Sequence, residues 1–147
     1  QGKPLRNTIE SDVSIHEGIL FGLHGGHVNC TDGRYVYMRA PVSCDNKPLN
    51  EYTLMPTHMR HMFCPEELQN IALAEPFSFT KGCRTMKIES RGSIKSDAYS
   101  FGTLLFDLKD DPKQEKPLVD KLVEDHMVEL MAKLMKENDC PVEQFER

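Results

Sequence analysis

The sequence predicts an α+β arrangement: a small antiparallel sheet of about four strands packed against one long C-terminal helix. Three observations carry that expectation. Residues 18–39, GILFGLHGGHVNCTDGRYVYMR, read as three short strands joined by two glycine turns. A second strong strand pattern, YSFGTLLFDL, covers 99–108. From Pro117 onward an apolar stripe recurs with the 3.6-residue period of a helix lying on a sheet.

In the first stretch, the run Gly18–Leu23 ends at His24-Gly25-Gly26, where two glycines permit the positive φ angles of a tight turn. The next run, His27–Thr31, meets Asp32-Gly33, a dipeptide suited to a two-residue type I′ hairpin, and Arg34–Arg39 follows. A two-residue turn pairs Thr31 with Arg34, Cys30 with Tyr35, Asn29 with Val36, Val28 with Tyr37 and His27 with Met38. Alternation along the strands then places Val28, Cys30, Tyr35 and Tyr37 on one apolar face. The other face, with His27, Asn29, Val36 and Met38, is mixed.

Around this unit the chain reads as one domain over 1–147. Residues 1–16 form a polar lead-in anchored by Ile9, Val13 and Ile15; 18–108 holds the sheet, its loops and a short helix; 117–137 is the long helix. Pro41, Cys44-Asp45-Asn46 and Pro48 make 40–49 a loop. Tyr52–Met55 is a further strand candidate, stopped by Pro56, which cannot donate to a ladder. Thr57–Cys64 carries Met59, Met62 and Phe63 in a short helical-period cluster at best. Cys64-Pro65-Glu66-Glu67-Leu68 has the look of a helix start, with proline first and acidic residues in the first turn, spent near Ala74. Pro76–Gly82 reads as loop, Arg84–Glu89 as strand, and Ser90–Ala98 as an exposed or mobile polar segment. Lys109-Asp110-Asp111-Pro112 is a turn. The helix stripe comprises Leu118, Leu122, Met127, Leu130 and Leu134, widened by Val119, Val123, Met131 and Met135. Glu124, Asp125, Glu129, Lys133 and Lys136 fall off that face. Asn138-Asp139 ends the helix, and Pro141 can start one more turn.

With 39% hydrophobic and 28% charged residues and a net charge of −5, the chain offers no basic stripe for nucleic acid. No apolar run approaches the roughly 20 residues of a membrane helix. The polar start Gln1-Gly2-Lys3-Pro4-Leu5 lacks the apolar core of a signal peptide. A chain that starts without Met and stops at Phe145-Glu146-Arg147 is expected to be a piece of a longer protein. Its five cysteines (Cys30, Cys44, Cys64, Cys83, Cys140) lack paired spacing, which favours reduced thiols and leans towards a cytoplasmic location.

The search for chemistry starts at histidine. His24-x-x-His27 and His58-x-x-His61, the latter followed by Cys64, lack the usual spacing of zinc ligands, and no metal site is expected. No cysteine adjoins a basic helix terminus that would activate its thiol. Gly-x-Ser-x-Gly and phosphate-cradling glycine loops are missing. Asp107, Asp110 and Asp111 read as a solvated turn rather than a calcium loop. Met127, Met131 and Met135 read as core. Arg34, Arg39, Arg60, His24, His27 and His58 are expected near one sheet end, where they would form an anion-facing rim. No complete catalytic constellation is present.

Four stretches nevertheless carry a resemblance. LFGLHGGHVNCTDGRYVYMR (20–39) and EYTLMPTHMR (51–60) resemble the C-terminal region of bacterial sulfatases, in the alkaline-phosphatase-like superfamily. LFDLKDDPKQEKPL (105–118) is similar to that family's L-Y-D-L-x-x-D-P-x-E…N-L segment before its last helix. Gly2-Lys3-Pro4-Leu5 resembles the Gly-Lys-Ser-Leu stretch where the catalytic domain hands over to the C-terminal subdomain. The resemblance implies a parent enzyme that hydrolyses sulfate esters with a formylglycine beside a calcium site. Formylglycine is made from the first residue of Cys/Ser-x-Pro-x-Arg, which this chain lacks; Cys64-Pro65 and Cys140-Pro141 have the wrong spacing. This chain is therefore expected to be the accessory C-terminal subdomain, without cofactor and inactive alone. Its implied partners are its own N-terminal catalytic domain and a sulfated small molecule or glycan. Within that resemblance His24, His27, His58 and Arg60 are the candidate substrate-binding residues. Two other functions stay open: an interaction or assembly module, including a homodimer of this piece, and the subdomain of a phosphoester or phosphonate hydrolase.

Overall fold

The computed structural model describes residues 3–58, 60–90 and 97–147. Among them run seven strands: β1 (Ile19–Gly22), β2 (Val28–Thr31), β3 (Tyr35–Arg39), β4 (Asn50–Thr53), β5 (Ala72–Ala74), β6 (Thr85–Glu89) and β7 (Leu104–Asp107). Three α-helices accompany them: α1 (Arg6–Ser11), α2 (Ala98–Phe101) and α3 (Lys121–Glu137). The first sheet has the order β1-β2-β3-β7, all antiparallel, with α3 across one face. The fourth strand of this sheet is thus β7. The Tyr52–Met55 region enters as β4 into a separate three-stranded sheet of order β4-β6-β5.

The hairpin register differs from the expected one. Val28 lies opposite Arg39, Asn29 opposite Met38, Cys30 opposite Tyr37 and Thr31 opposite Val36, a slip of two residues. Asp32 is the cause. Its Oδ1 accepts from the backbone N–H groups of Arg34 (2.8 Å) and Tyr35 (2.7 Å), while Thr31 Oγ1 accepts from Gly33 N–H at 3.0 Å. Those bonds hold a four-residue loop, 32–35, in place of a two-residue turn. A slip of two returns every side chain to its original face, whereas a slip of one would invert the strand. Cys30 and Tyr37 are accordingly fully buried under α3 together with Leu105, and Val28 and Tyr35 pack at the margin.

Helix α3 opens at Asp120, whose Oδ1 accepts from the N–H groups of Leu122 (3.0 Å) and Val123 (3.1 Å). It buries Met127, Leu130, Met131, Leu134 and Met135, each worth about 1.5–3 kcal/mol relative to exposure. Val119 and Leu122, expected on the stripe, are 97% and 83% exposed. Val119 precedes the cap, so the helical period does not govern it, and Leu122 falls about 140° around the helix from Met127, off the packed face, while its neighbour Val123 packs on the core. Where β1 begins, Gly18 lies so close to α3 that a Cβ there would sit 2.9 Å from Leu130 Cδ2 and 3.0 Å from Thr31 O.

Two further expectations change. Residues 65–70 make i→i+3 turns (Glu67 N–H to Cys64 O 3.0 Å, Leu68 N–H to Pro65 O 3.2 Å), and the following Ala72–Ala74 pairs with β6. A short isolated helix barely offsets its nucleation, and strand pairing wins the segment. The 99–108 strand shortens to β7, because Asp97 caps α2 through the Ser100 N–H (3.3 Å) and Gly102 turns the chain at φ 69°. Of the segment read as polar and exposed, Ser90 and Ala98 are buried; 91–96 lie outside the described residues. The turn after Pro141 is present as a 3-10 helix, Val142–Phe145. The five cysteines are free thiols. Among the described residues no helix is long and apolar enough to cross a membrane.

Candidate functional site

The β1–β2 connection, Leu23 to His27, is closed by a bond from Gly26 N–H to Leu23 O at 2.9 Å. Its backbone demands glycine. Gly25 has φ 74°, and Gly22 at φ 150° leaves its missing Cβ 2.8 Å from His27 O. Distant parts of the chain then fix both buried turn glycines. Asn46 donates from Nδ2 to Gly25 O at 2.7 Å, and Arg147 donates from Nη2 to Gly26 O. Arg147 Nε donates to Asn46 Oδ1 at 2.6 Å, which joins the two supports, and Val42 N–H reaches Arg147 O at 2.7 Å. Burial holds the Arg147 pKa below its ordinary value.

A groove of about 350 Å³ runs beside this turn, with His24, His27, Phe21, Leu49, Tyr52 and Arg147 among its lining residues. His24 Nε2 lies 3.1 Å from Ser90 Oγ, which in turn donates to Glu51 Oε1 at 3.2 Å. His27 Nε2 donates to Gly102 O at 2.9 Å. The 3-10 helix that delivers Arg147 is itself anchored, because Glu143 accepts from Tyr52 Oη, from Asn50 Nδ2 (2.7 Å) and from Lys87 Nζ (3.0 Å). Burial alone would raise the Glu143 pKa, but these donors and its own backbone N–H outweigh it and hold the carboxyl at about 2. Burial, with the bond to Glu143, drives the Tyr52 phenol upward.

His58 belongs to a different arrangement. Its Nε2 lies 2.9 Å from Glu67 Oε1, Glu67 Oε2 accepts from Cys64 N–H at 2.7 Å, and the ring packs at a tilt against His61 and Phe63. The Cys64 backbone N–H, the Cys64 thiol and His58 hold the Glu67 pKa at about 2. Arg60 is exposed in the same turn. Neither residue lines the groove of His24 and His27. Glu67 does border an adjoining cleft of about 360 Å³, shared at Leu49, where Asp45, Glu66 and Glu89 add further negative charge and Lys47 is paired with Glu89 at 2.9 Å.

The expected six-residue rim is split. Consecutive turns of a meander fall at opposite ends of the sheet, so Arg34, in the β2–β3 loop, is far from the His24–His27 end. There it grips Asp107 through Nε (3.2 Å) and Nη2 (2.8 Å), holding that carboxyl below its usual range. Arg39, opposite Val28, returns to the His27 end. Asp107 is thereby taken up, and Asp111 accepts from Lys116 N–H at 2.7 Å. Among the described residues no three His, Cys, Asp or Glu side chains converge as a metal ion requires. Sequence reasoning missed Asn46, Glu51, Ser90 and Arg147. Asn46 alone left a sign, as a residue type tolerant of the left-handed backbone (φ 52°) it adopts.

No family model, no curated protein and no solved structure matches this chain.

Proposed function

We propose that this chain is the C-terminal accessory subdomain of a sulfate-ester hydrolase and shapes one wall of its substrate cleft. The sequence resemblance over 20–39, 51–60 and 105–118 supplies the enzyme class. The observation that carries the role is the His24-Gly25-Gly26-His27 turn, two imidazoles beside a groove on a backbone fixed by Asn46 and Arg147. Polar side chains on a rigidly held turn are a common place for ligand contact. The reacting groups belong to the rest of the parent protein. Residues for formylglycine are missing from this sequence, and its described carboxylates do not converge for calcium.

The coding sequence upstream is the direct test. Cys/Ser-x-Pro-x-Arg there supports a sulfatase; a Thr or Ser nucleophile without it transfers the subdomain to a phosphoester or phosphonate hydrolase. This chain alone is expected to leave an aryl sulfate untouched, and measurable turnover would contradict the assignment.

A second reading, an assembly module, draws on the free edge of the first sheet. Among the described residues strand β1 has one neighbour, and Ile19 and Phe21 on it are 55% and 47% exposed, with Leu23 just past its end 80% exposed. Such an edge pairs readily with another chain. An upstream region without any hydrolase domain would favour it.

A further inference from the structure

We infer that the open edge of β1 receives β1 of a second copy of this chain, joined antiparallel across a two-fold axis. The inference rests on the assembly reading above and names its partner. The two sheets end on four edges: β1 and β7 in the first, β4 and β5 in the second. Three of them are blunted. Leu118 N–H donates to Leu105 O at 2.7 Å, which lays the segment before α3 against β7. Strand β4 carries the charged Glu51, and β5 has three residues, with Arg84 Nη2 reaching Leu73 O at 3.5 Å. Strand β1 has no such device. Residues 18–23, GILFGL, contain neither charge nor proline, and among the described residues the backbone of Ile19–Gly22 bonds only to β2.

Space for another strand lies alongside. The groove beside the His24–His27 turn begins at Leu20, and a second hollow of about 570 Å³ runs from Leu20 back to Gly18, with His16, Leu134 and Asn138 in its lining. An occupant has to be extended over that length, uncharged, apolar and unpaired along one side. Strand β1 is itself the one described strand that meets those conditions; β5, the nearest alternative, stops after three residues at Glu75-Pro76. The complementary surface is thus carried by the same chain. Charge does not oppose the approach: Glu17, just before the run, is paired with Lys133, and Lys3 Nζ donates to Ile15 O at 2.9 Å. Antiparallel pairing about an axis normal to the sheet extends four strands to eight and keeps both α3 helices on one face. It uses both open edges, so assembly stops at two. Leu20 packs towards α3, so Ile19 and Phe21 lie on the other face, where they meet their counterparts across the axis. With Leu23 and the strand backbones they bury on the order of 1,000 Å², the size of a weak, concentration-dependent complex.

Sedimentation velocity of the chain between about 1 μM and about 1 mM tests this. A monomer–dimer equilibrium is expected, with amide exchange of residues 19–22 slowed at the high end. Ile19→Lys and Phe21→Lys place a charge on a side chain already exposed in the single copy, so the fold should survive by circular dichroism. Each should weaken dimerisation about tenfold or more. Leu122→Lys, at a more exposed apolar site on α3, should leave it within about twofold. A chain that is monomeric at every concentration hands the edge to another occupant and overturns the inference. So does a dimer indifferent to both β1 variants, or one lost with Leu122→Lys. The hydrolase and assembly readings are decided separately, by the sequence upstream.

Discussion

The protein contains two His-x-x-His turns, and the structure holds them in opposite ways. His24–His27 is fixed by residues far away in the chain: Asn46, Ser90, Gly102 and Arg147. His58–His61 is a local affair, closed by Glu67 and Cys64 within nine residues of His58. Identical spacing therefore says little about role. A turn whose geometry is imposed by the whole fold can present side chains to a ligand reproducibly; a turn that satisfies itself locally mainly supports its own loop.

The largest expected break of this contrast is Arg147→Met. It leaves Gly26 O and Asn46 Oδ1 without a donor and should cost about 2–3 kcal/mol in chemical denaturation. Exchange of the Gly25 and Gly26 amides should quicken, with the 58–67 turn unaffected. Gly22→Ala comes next, at about 1–3 kcal/mol, because the new Cβ meets backbone at 2.8 Å.

Acid should weaken the first turn through Glu143. Its folded pKa of about 2 lies below the ordinary 4.5, so the stabilisation is complete above about pH 4.5 and lost as pH falls from there towards 2. Water screening at this partly open site limits the loss to about 1–2 kcal/mol, read from melts between those limits. Glu143→Gln should flatten that dependence. The smallest effect belongs to Glu67→Gln, which should speed Cys64 amide exchange and leave global stability and the exchange of the Gly25 and Gly26 amides in place.

The same contrast explains how much was legible in the sequence. Face assignment survived an error in register because alternation is a local property: Val28, Cys30, Tyr35 and Tyr37 face α3 under either pairing. The register itself turned on the Asp32 side chain capturing two backbone amides, which a Asp-Gly dipeptide does not announce. The helix stripe from Met127 to Met135 was readable from its period, while 64–74 was decided by strand pairing with β6, a contact outside the segment itself. His24 and His27 stood out by type and spacing. Their supports did not, since Arg147 and Ser90 become relevant only once the fold brings them to the turn.

The central proposal is that the His24–His27 turn faces a substrate and the His58 turn does not. If the upstream sequence encodes the proposed sulfatase, turnover of a sulfate ester by that enzyme tests it most directly. His24→Ala or His27→Ala should each lower kcat/KM about tenfold, the equivalent of one lost hydrogen bond, with the fold retained by circular dichroism. His58→Ala should stay within about twofold of the unaltered enzyme. Unchanged kinetics for both His24→Ala and His27→Ala, or an equal loss for His58→Ala, would contradict the account.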